Sequence, residues 1–373
     1  MQKRKTFGRC VALFLSFLLI FPSVVSCELN SLIGQESSEK NSESLSEKES
    51  DSVSENVKES ESTAESGEEI PTPLFFHALT GESCNEATAT ARPLAFVIGN
   101  TNACLPQSGL SLSEILIEAP ISATETRLMM ITTRYGEAEK IGSIRSATKS
   151  LAVLGDSFRA ILIESGNADG STYSHETSGA TLSAAKETSA FYKENGKLNP
   201  HNIYTNASRL QSAIAEAGFS KTDLGTPIFS FLKDDTSEIL SWNVATHIKV
   251  NYAASQCTEF RYANDTGLYT RYLNGIAQKD GTAPITAKNV LVLYCDSTVV
   301  ETENEISLSL ALNRGSGVYA TDGSYVNITW TRGENGSLIL RKQSGETISV
   351  NRGVTHIELV KSSQKSSVTL DCN

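Results

Sequence analysis

The chain has 373 residues, of which 39% are apolar and 20% are charged, and its formal net charge at pH 7 is −11. Residues 71–373 contain no basic patch or run of Lys and Arg, so they lack the electrostatic footprint of a nucleic-acid-binding protein. No Cys-x-x-Cys or Cys/His spacing typical of zinc ligands occurs. We therefore predict neither a metal site nor a cofactor.

Residues 1–26 have the pattern of a signal peptide. Basic residues precede an apolar run from Val11 to Phe21, which is too short to span a bilayer as a mature helix. The run ends in the letters VVSC, which resemble a bacterial lipobox, where cleavage precedes the cysteine and its thiol receives a lipid. We predict that lipid on Cys27 anchors the protein at the extracytoplasmic face of the cell membrane. Ordinary secretion with an incidental cysteine is the alternative.

Residues 27–70 are predicted to be a disordered tether. From position 28 to position 70 the chain holds thirteen acidic residues, three lysines and twelve serines, which gives a net charge of −10. Such a segment buries too little apolar surface to offset the conformational entropy that folding removes. The tether is therefore expected to hold the rest of the protein off the membrane.

Residues 71–224 alternate short apolar runs with helical patterns, which predicts a mixed α/β layered domain. Positions 93–100, 126–135 and 158–166 are typical of strands. A helix is predicted from Ser146 to Leu154, which places Arg145 at its first turn, beside the positive end of the helix dipole. A second helix is predicted after a cap at Thr205 or Asn206, with an end at Gly218 and an inward face of Leu210, Ala213, Ile214 and Ala217.

Residues 225–373 have a different character, because the helix signals stop and short strand patterns follow one another. Turn dipeptides separate these strands at hairpin distances, as at Asp322-Gly323 and Asn335-Gly336. The sequence therefore predicts an α+β protein, in which the α/β domain is followed by an all-β domain with the form of a sandwich or a barrel.

Several blocks of the sequence are similar to those of the YerB-like bacterial lipoproteins, a family of unknown function found mainly in Gram-positive bacteria. The blocks follow one another in the same order along nearly all of residues 71–373. The most recognisable blocks are RPLAFVIGN (92–100), PQSGLSLSEILIEAP (106–120), KIGSIRSAT (140–148), NPHNIYTN (199–206), YTRYLNG (269–275) and GSGVYATDG (315–323). The resemblance implies the two-part architecture and an envelope location, and it assigns no reaction. One departure lies at Thr148, where the family block usually continues with arginine.

The blocks of residues 71–224 carry polar side chains at strand ends and helix starts. In an open α/β sheet such positions face a common crevice. Arginines, helix N–H groups and a histidine are suited to phosphate or carboxylate, so we predict a site for an anionic envelope ligand. The candidate ligand-binding residues are Gln107, Ser108, Glu118, Arg127, Arg145, Ser146, His201 and Asn202.

Internal pairing is the alternative for the two arginines, with Glu118 or Asp156 as the carboxylate. His201 then belongs to a capped turn that holds a loop. The sequence also leaves open the pairing of Cys84, Cys104, Cys257, Cys295 and Cys372, of which at least one stays free because their number is odd. Bridges within each half, 84 with 104 and 257 with 295 or 372, are compatible with it.

Two functions fit these observations. The first is a binding or scaffold module that presents its domains to the cell wall or to a protein partner. The second is an enzyme that acts on an anionic, phosphate-bearing cell-wall or lipid-linked substrate. A deep pocket where Arg127, Arg145 and Glu118 converge would favour the enzyme. Ion pairs and hydrogen bonds of these three residues with one another, together with an apolar surface patch, would favour the scaffold.

Overall fold

The computed structural model of the protein describes residues 74–168, 179–223, 226–233, 243–301 and 306–371. The predicted signal peptide, Cys27, the tether and Cys372 lie outside these ranges. All the described residues belong to one compact unit, residues 70–373. Within the described ranges, no helix has the length and apolar character needed to cross a membrane.

The first part of the chain contains all three described α-helices. Its elements in chain order are β1 (Phe75–Phe76), β2 (Ser83–Cys84), α1 (Glu86–Ala89), β3 (Leu94–Gly99), β4 (Ile115–Pro120), β5 (Thr126–Thr132), β6 (Ile141–Gly142), α2 (Lys149–Ser157), β7 (Ile161–Glu164), β8 (Thr181–Ser183), β9 (Tyr192–Lys193), β10 (Ile203–Thr205) and α3 (Ala207–Glu216). Short 3-10 helices lie at Asn102–Cys104, Leu110–Leu112, Arg134–Glu137 and Thr188–Ala190.

The later part of the chain is built from strands. They are β11 (His247–Ala253), β12 (Gln256–Ala263), β13 (Leu268–Leu273), β14 (Ile276–Ala277), β15 (Lys279–Asp280), β16 (Ala283–Pro284), β17 (Thr286–Ala287), β18 (Asn289–Cys295), β19 (Ser297–Glu301), β20 (Ile306–Leu310), β21 (Arg314–Thr321), β22 (Ser324–Arg332), β23 (Leu338–Lys342), β24 (Thr355–Lys361) and β25 (Val368–Asp371). A 3-10 helix lies at Ser362–Ser367.

Ten strands of the described residues form a central sheet, in the order β23-β22-β21-β18-β24-β4-β5-β3-β7-β8. Strands from both predicted domains are in this sheet, because β24 runs parallel to β4 and places Glu358 beside Glu118. The predicted boundary at positions 224 and 225 lies outside the described residues, and the division into two domains stays a prediction. The sheet, however, is continuous from one part of the chain to the other.

The strands β3, β4 and β5 in the central sheet are buried on both faces, as the uninterrupted apolar run of β3 indicates. On one face, side chains such as Val97 and Ile117 pack with α2. On the opposite face, Phe96 and Leu116 pack with α3. Because side chains alternate along a strand, β3 and β4 each contribute to both cores.

A second sheet covers the opposite face of the central sheet at β18, β21 and β24. It contains the strands β14-β13-β12-β11-β25, with β17 paired to β13. Ile248, Phe260 and Tyr269 of this second sheet pack with Val290 and Val318 of the central sheet. The predicted order of an α/β region followed by a region of strands is confirmed for the described residues. Whether a sandwich or a barrel describes the later region stays a prediction.

The helix predictions differ in accuracy. The helix after Asn206 is confirmed as α3, since the Asn206 side chain caps it by accepting from the N–H of Arg209, although Ala217 is exposed rather than inward. The helix predicted from Ser146 is wrong at its start, because α2 begins at Lys149. Thr148, the departure from the family block, is its N-cap and accepts from the N–H of Leu151, a role that arginine does not fill.

Candidate functional site

The ends of three strands meet at one edge of the central sheet. β3 and β4 end there and β5 starts there, since β5 is antiparallel to both. The segment 143–148 runs beside the end of β3: the N–H of Gly99 donates to the carbonyl of Ser143 at 3.0 Å, and the N–H of Arg145 donates to Val97 at 2.8 Å. These main-chain bonds fix the position of Arg145 at the edge of the sheet.

Arg145 lies four residues before α2, in a non-helical segment, so the predicted unfavourable contact with the helix dipole does not exist. The side chain is half-buried, and its Nη1 lies 2.6 Å from Nδ1 of His201. No carboxylate of the described residues lies within ion-pair distance of this guanidinium. For Arg145, the predicted internal pairing with Glu118 or Asp156 is therefore not found in the described structure.

His201 is held in its neutral form by its surroundings. Burial lowers its pKa, the guanidinium of Arg145 lowers it further, and the charges of Arg127 and Lys197 act in the same direction, whereas Glu125 raises it. Because a guanidinium can only donate, Nδ1 of His201 accepts from Arg145 and the imidazole proton is on Nε2. Three cations and one carboxylate of the described residues thus act on this ring.

Arg127 is buried and lies next to the same segment. Its Nε donates to the carbonyl of Ser146 at 3.1 Å, and its Nη2 lies 3.4 Å from Oγ of Ser146. Ser146 therefore connects the strand that carries Arg127 to the segment that carries Arg145. We refer to Arg127, Arg145, Ser146 and His201 as the arginine cluster.

Sequence reasoning missed two residues beside the arginine cluster. Sγ of Cys104 lies 3.2 Å from Nδ1 of His201, the nitrogen that Arg145 also contacts. Nζ of Lys197 donates to the carbonyls of Cys104 and Leu105 at 3.3 and 3.1 Å. Cys104 and His201 are 97 positions apart in the chain, so no local pattern indicates their contact.

The three remaining candidate residues of these blocks are Gln107, Ser108 and Asn202, which do not contact the guanidinium of Arg145 in the described hydrogen bonds. Nε2 of Gln107, a buried residue, donates to the carbonyl of Gly99 at 3.2 Å and to Oδ1 of Asn100 at 3.1 Å. Ser108 pairs through its main chain with Gly142. Asn202 is half-buried, and its Oδ1 is buried without a hydrogen-bond donor among the described residues.

Glu118 does not join the arginine cluster. Its carboxylate is 1% exposed and forms a 2.6 Å ion pair with Arg271 of the second sheet. Four further donors of the described residues reach the two carboxylate oxygens at 2.7–3.2 Å, from Asn100, Thr126, Gln256 and Thr258. Internal donors therefore occupy this carboxylate, and it is not placed to bind the predicted ligand together with Arg145.

Further buried polar side chains, those of Glu358, Tyr252 and His356, lie near this ion pair. Glu358, next to Glu118 in the sheet, accepts from the hydroxyl of Tyr252 at 2.8 Å, and burial followed by the charge of Glu118 raises its pKa well above the usual value. Burial and Arg271 lower the pKa of His356 to about 3. Arg271 keeps Nε and Nη1 without a partner among the described residues. Burial and the neighbouring carboxylate of Glu118 thus favour the neutral form of Glu358.

The cysteine pairings that the sequence leaves open can be compared with the described residues. Cys84, Cys104, Cys257 and Cys295 are all free, so the bridges 84–104 and 257–295 are not formed. No cluster of three or more potential metal ligands occurs in the described ranges. Two pockets lie elsewhere, one near His77 and Asp223 and the other near Trp330 and Leu338, and neither contains Arg127 or Arg145. The deep pocket expected of the enzyme hypothesis is not found among them.

Comparisons of the sequence and of the structure with known proteins all find the same family. Residues 79–220 match the N-terminal domain, and residues 248–357 the C-terminal domain, of a protein of unknown function (DUF3048). The chain is 24% identical over 298 residues to the Bacillus subtilis (strain 168) protein named "Putative lipoprotein YerB", a match that covers 78% of this chain and 88% of that protein. The crystal structure of YerB from Bacillus subtilis is similar with a TM-score of 0.71 and 22% identity, over 80% of this chain and 100% of the crystallised one.

Proposed function

The chain belongs to the YerB-like family of proteins of unknown function (DUF3048), and from this premise we propose that it is a lipid-anchored envelope protein that binds an anion at the arginine cluster. The relative in Bacillus subtilis is named as a lipoprotein. The sequence around Cys27 supplies the matching signal in this chain. The acyl chains on Cys27 hold the protein at the outer face of the membrane, and the acidic tether separates the folded part from the lipid surface.

One observation carries the proposal for a ligand. Arg145 is half-buried and positioned by main-chain hydrogen bonds, yet the described residues offer its guanidinium a neutral imidazole and no carboxylate within ion-pair distance. A cation that is partly removed from water gains more from an anionic partner than from a neutral one. An external phosphate or carboxylate supplies that partner.

The neighbours of Arg145 favour an anion as well. Arg127 and Lys197 add positive charge, and Ser146 lies between the two arginines with a hydroxyl that can donate. The side chains of Ser146, His201 and Lys197 are half-buried, so the cluster is accessible at the edge of the sheet. The ligand is therefore a small anionic group, such as the phosphate or carboxylate of a larger envelope molecule.

Isothermal titration of the full-length protein with inorganic pyrophosphate and with citrate tests this proposal. We expect pyrophosphate to bind, and Arg145→Ala to weaken binding by about tenfold or more, since a hydrogen bond to a charged group contributes about 1.5–3 kcal/mol. Citrate distinguishes a general carboxylate site from one that prefers phosphate. Added salt is expected to weaken both.

Arg134→Ala is the matched control, because Arg134 is an exposed arginine of the same region that pairs with Glu137. It removes the same charge and should leave binding unchanged. If the wild-type protein binds neither anion, or if Arg145→Ala binds as well as Arg134→Ala, the proposed function is wrong.

The anchor has a separate test in cells. The wild-type protein should incorporate a radiolabelled palmitate and sediment with membranes, whereas Cys27→Ala should do neither. A wild-type protein that is released into the medium without lipid would contradict the proposed anchor and leave the anion site untouched.

A further inference from the structure

Cys104 has a polar environment that is unusual for an enclosed cysteine. Its side chain is fully buried, and its Sγ lies 3.2 Å from Nδ1 of His201, 3.4 Å from Oγ1 of Thr101 and 3.9 Å from Oγ of Ser143. The hydroxyl of Ser143 donates to this sulfur, and the hydroxyl of Thr101 can donate to it or accept from it. Three polar groups of the described residues therefore surround the sulfur.

Cys295 shows the contrast within the same molecule. It is equally buried, but its Sγ contacts a carbonyl, that of Leu293 at 3.7 Å, and burial raises the pKa of this thiol to about 12. Cys84 and Cys257 are partly exposed, and burial still raises the pKa of both thiols. Among the described cysteines, Cys104 alone has a histidine within hydrogen-bond distance.

The backbone is shaped to admit this sulfur. A Cβ added at Gly99 would lie 2.2 Å from Sγ of Cys104 and 3.1 Å from Cγ of Arg145, so glycine is required for the close approach. The end of β3 therefore brings the thiol, the imidazole and the guanidinium together. His201, whose Nδ1 contacts both Sγ and the guanidinium of Arg145, is half-buried, and so is Arg145.

Cys104 and Arg145 compete for one nitrogen. Nδ1 of a neutral imidazole has a single lone pair, and Arg145 uses it in this structure. While Arg145 donates to Nδ1, His201 is not able to take the thiol proton. An anion that draws the guanidinium away releases Nδ1 and opens the approach to Sγ at the same time.

We propose that Cys104 is a nucleophilic thiol, that His201 is its base, and that it captures an electrophile carrying a carboxylate or phosphate group, which Arg145 recognises. The inference rests on the anion binding proposed above and adds a covalent step to it. The ligand anion pairs with Arg145, and the electrophilic carbon of the same ligand then lies near Sγ.

The step balances without an oxidant or a metal. The proton of Sγ moves to Nδ1 of His201, and Sγ forms a bond to the electrophilic carbon. The bond between that carbon and the leaving group breaks, and the leaving group departs with the electron pair. It takes the proton back from the imidazolium, which returns His201 to its neutral form.

Two alkylating agents of the same size test the proposal, namely neutral iodoacetamide and anionic iodoacetate. The full-length protein is treated with each, and peptide mass spectrometry follows the four described cysteines separately. We expect Cys104 to react faster than Cys84 and Cys257 although it is more enclosed. We also expect iodoacetate to be favoured at Cys104 by about tenfold over iodoacetamide, relative to the same ratio at Cys257.

Variants of Arg145 and His201 distinguish activation of the Cys104 thiol from steric access to it. Arg145→Ala should abolish the preference for iodoacetate, and Arg134→Ala should keep it. His201→Ala opens space over the sulfur, so a purely steric barrier predicts faster alkylation, whereas loss of the base predicts alkylation slower by about tenfold or more. Cys295 reports on the fold, because unfolding would expose it in any variant, and Arg145→Lys and His201→Gln replace a variant that fails this check.

Three outcomes would overturn the inference. The alkylation rates could follow exposure alone, with Cys104 as slow as Cys295. The preference for iodoacetate could be equal at Cys104 and Cys257. His201→Ala could accelerate alkylation of Cys104 with Cys295 still protected. Each outcome leaves pyrophosphate titration unaffected, and a protein that binds no pyrophosphate but shows a fast, His201-dependent Cys104 would instead overturn the proposed reversible site.

Discussion

Two arginines of this protein, Arg271 and Arg145, differ in burial and in the charge of their partners. Arg271 is fully buried, and its charge is compensated by Glu118 at 2.6 Å within a sheet-to-sheet contact. Arg145 is half-buried at a sheet edge, and its closest described partner is the neutral ring of His201. The first guanidinium has its counter-charge inside the molecule. The second is held in place by main-chain bonds while its charge stays available.

The degree of burial of each charge distinguishes a structural arginine from one that is available to bind a ligand. Removal of one partner from a buried pair leaves an uncompensated charge in a medium of low polarity, so such a pair is essential to the fold. A charge at a partly exposed site keeps some hydration and can lose its neutral partner at small cost. Stability and binding measurements on the two arginine sites should therefore give opposite results.

The largest effect is expected from Glu118→Ala. This change leaves Arg271 and four further buried donors without their acceptor, so we expect a loss of about 3–5 kcal/mol in the free energy of unfolding, measured by urea denaturation. Glu137→Ala is the control, because the exposed pair of Glu137 with Arg134 should contribute less than about 1 kcal/mol. Equal effects of the two changes would contradict the contrast between buried and exposed charge.

An intermediate effect is expected from pH, since the groups around Arg271 titrate abnormally. The folded protein keeps Glu358 protonated above 4.5, so unfolding releases a proton and this group makes stability fall as pH rises above 4.5. His356 stays neutral in the folded protein down to a pKa of about 3, so its contribution makes stability fall as pH drops from 6.5 towards 3. Between 4.5 and 6.5 the two slopes oppose each other.

Denaturation at a series of pH values, with matched variants, separates these two groups. Glu358→Gln should flatten the alkaline limb and His356→Phe the acid limb, each by up to about 1.4 kcal/mol per pH unit. Neither variant should alter pyrophosphate binding at the arginine cluster. If both profiles stay the same as that of the wild type, the buried group around Arg271 does not control the pH dependence.

The smallest effect on stability is expected at the other site. Arg145→Ala should change the free energy of unfolding by less than about 1 kcal/mol, because no described carboxylate loses its partner. The same variant is the one expected to lose anion binding. A destabilisation as large as that of Glu118→Ala would mean that Arg145 is a structural residue, and the comparison would fail.

The sequence predicted the elements that local patterns encode. α3 was predictable because its cap, its apolar face and its terminal glycine all lie within residues 206–218. α2 was placed too early, because Ala147, Leu151 and Leu154 suggest a helical stripe from Ser146 onwards, while the hydroxyl of Thr148 sets the actual start. The general position of Arg127, Arg145 and His201 near strand ends followed from the rule for α/β sheets.

The partners of these residues were not predictable in the same way. Glu118 pairs with a residue 153 positions later, and His201 meets a cysteine 97 positions earlier. One signal for the first contact was present: Arg271 lies on the alternating buried face of β13, between Tyr269 and Leu273. An arginine at such a position needs a buried carboxylate, and Glu118, in a strand of otherwise apolar residues, was the matching candidate.

The parallel contact between β4 and β24 has a consequence for biosynthesis. The ribosome makes β24 long after β4, so the side of β4 that β24 covers has no neighbour while the residues between the two strands are made. An unprotected edge of this apolar kind invites association with other chains. A fragment that ends before β24 would keep that edge, together with a glutamate that has lost its arginine, and should aggregate rather than fold as an independent half.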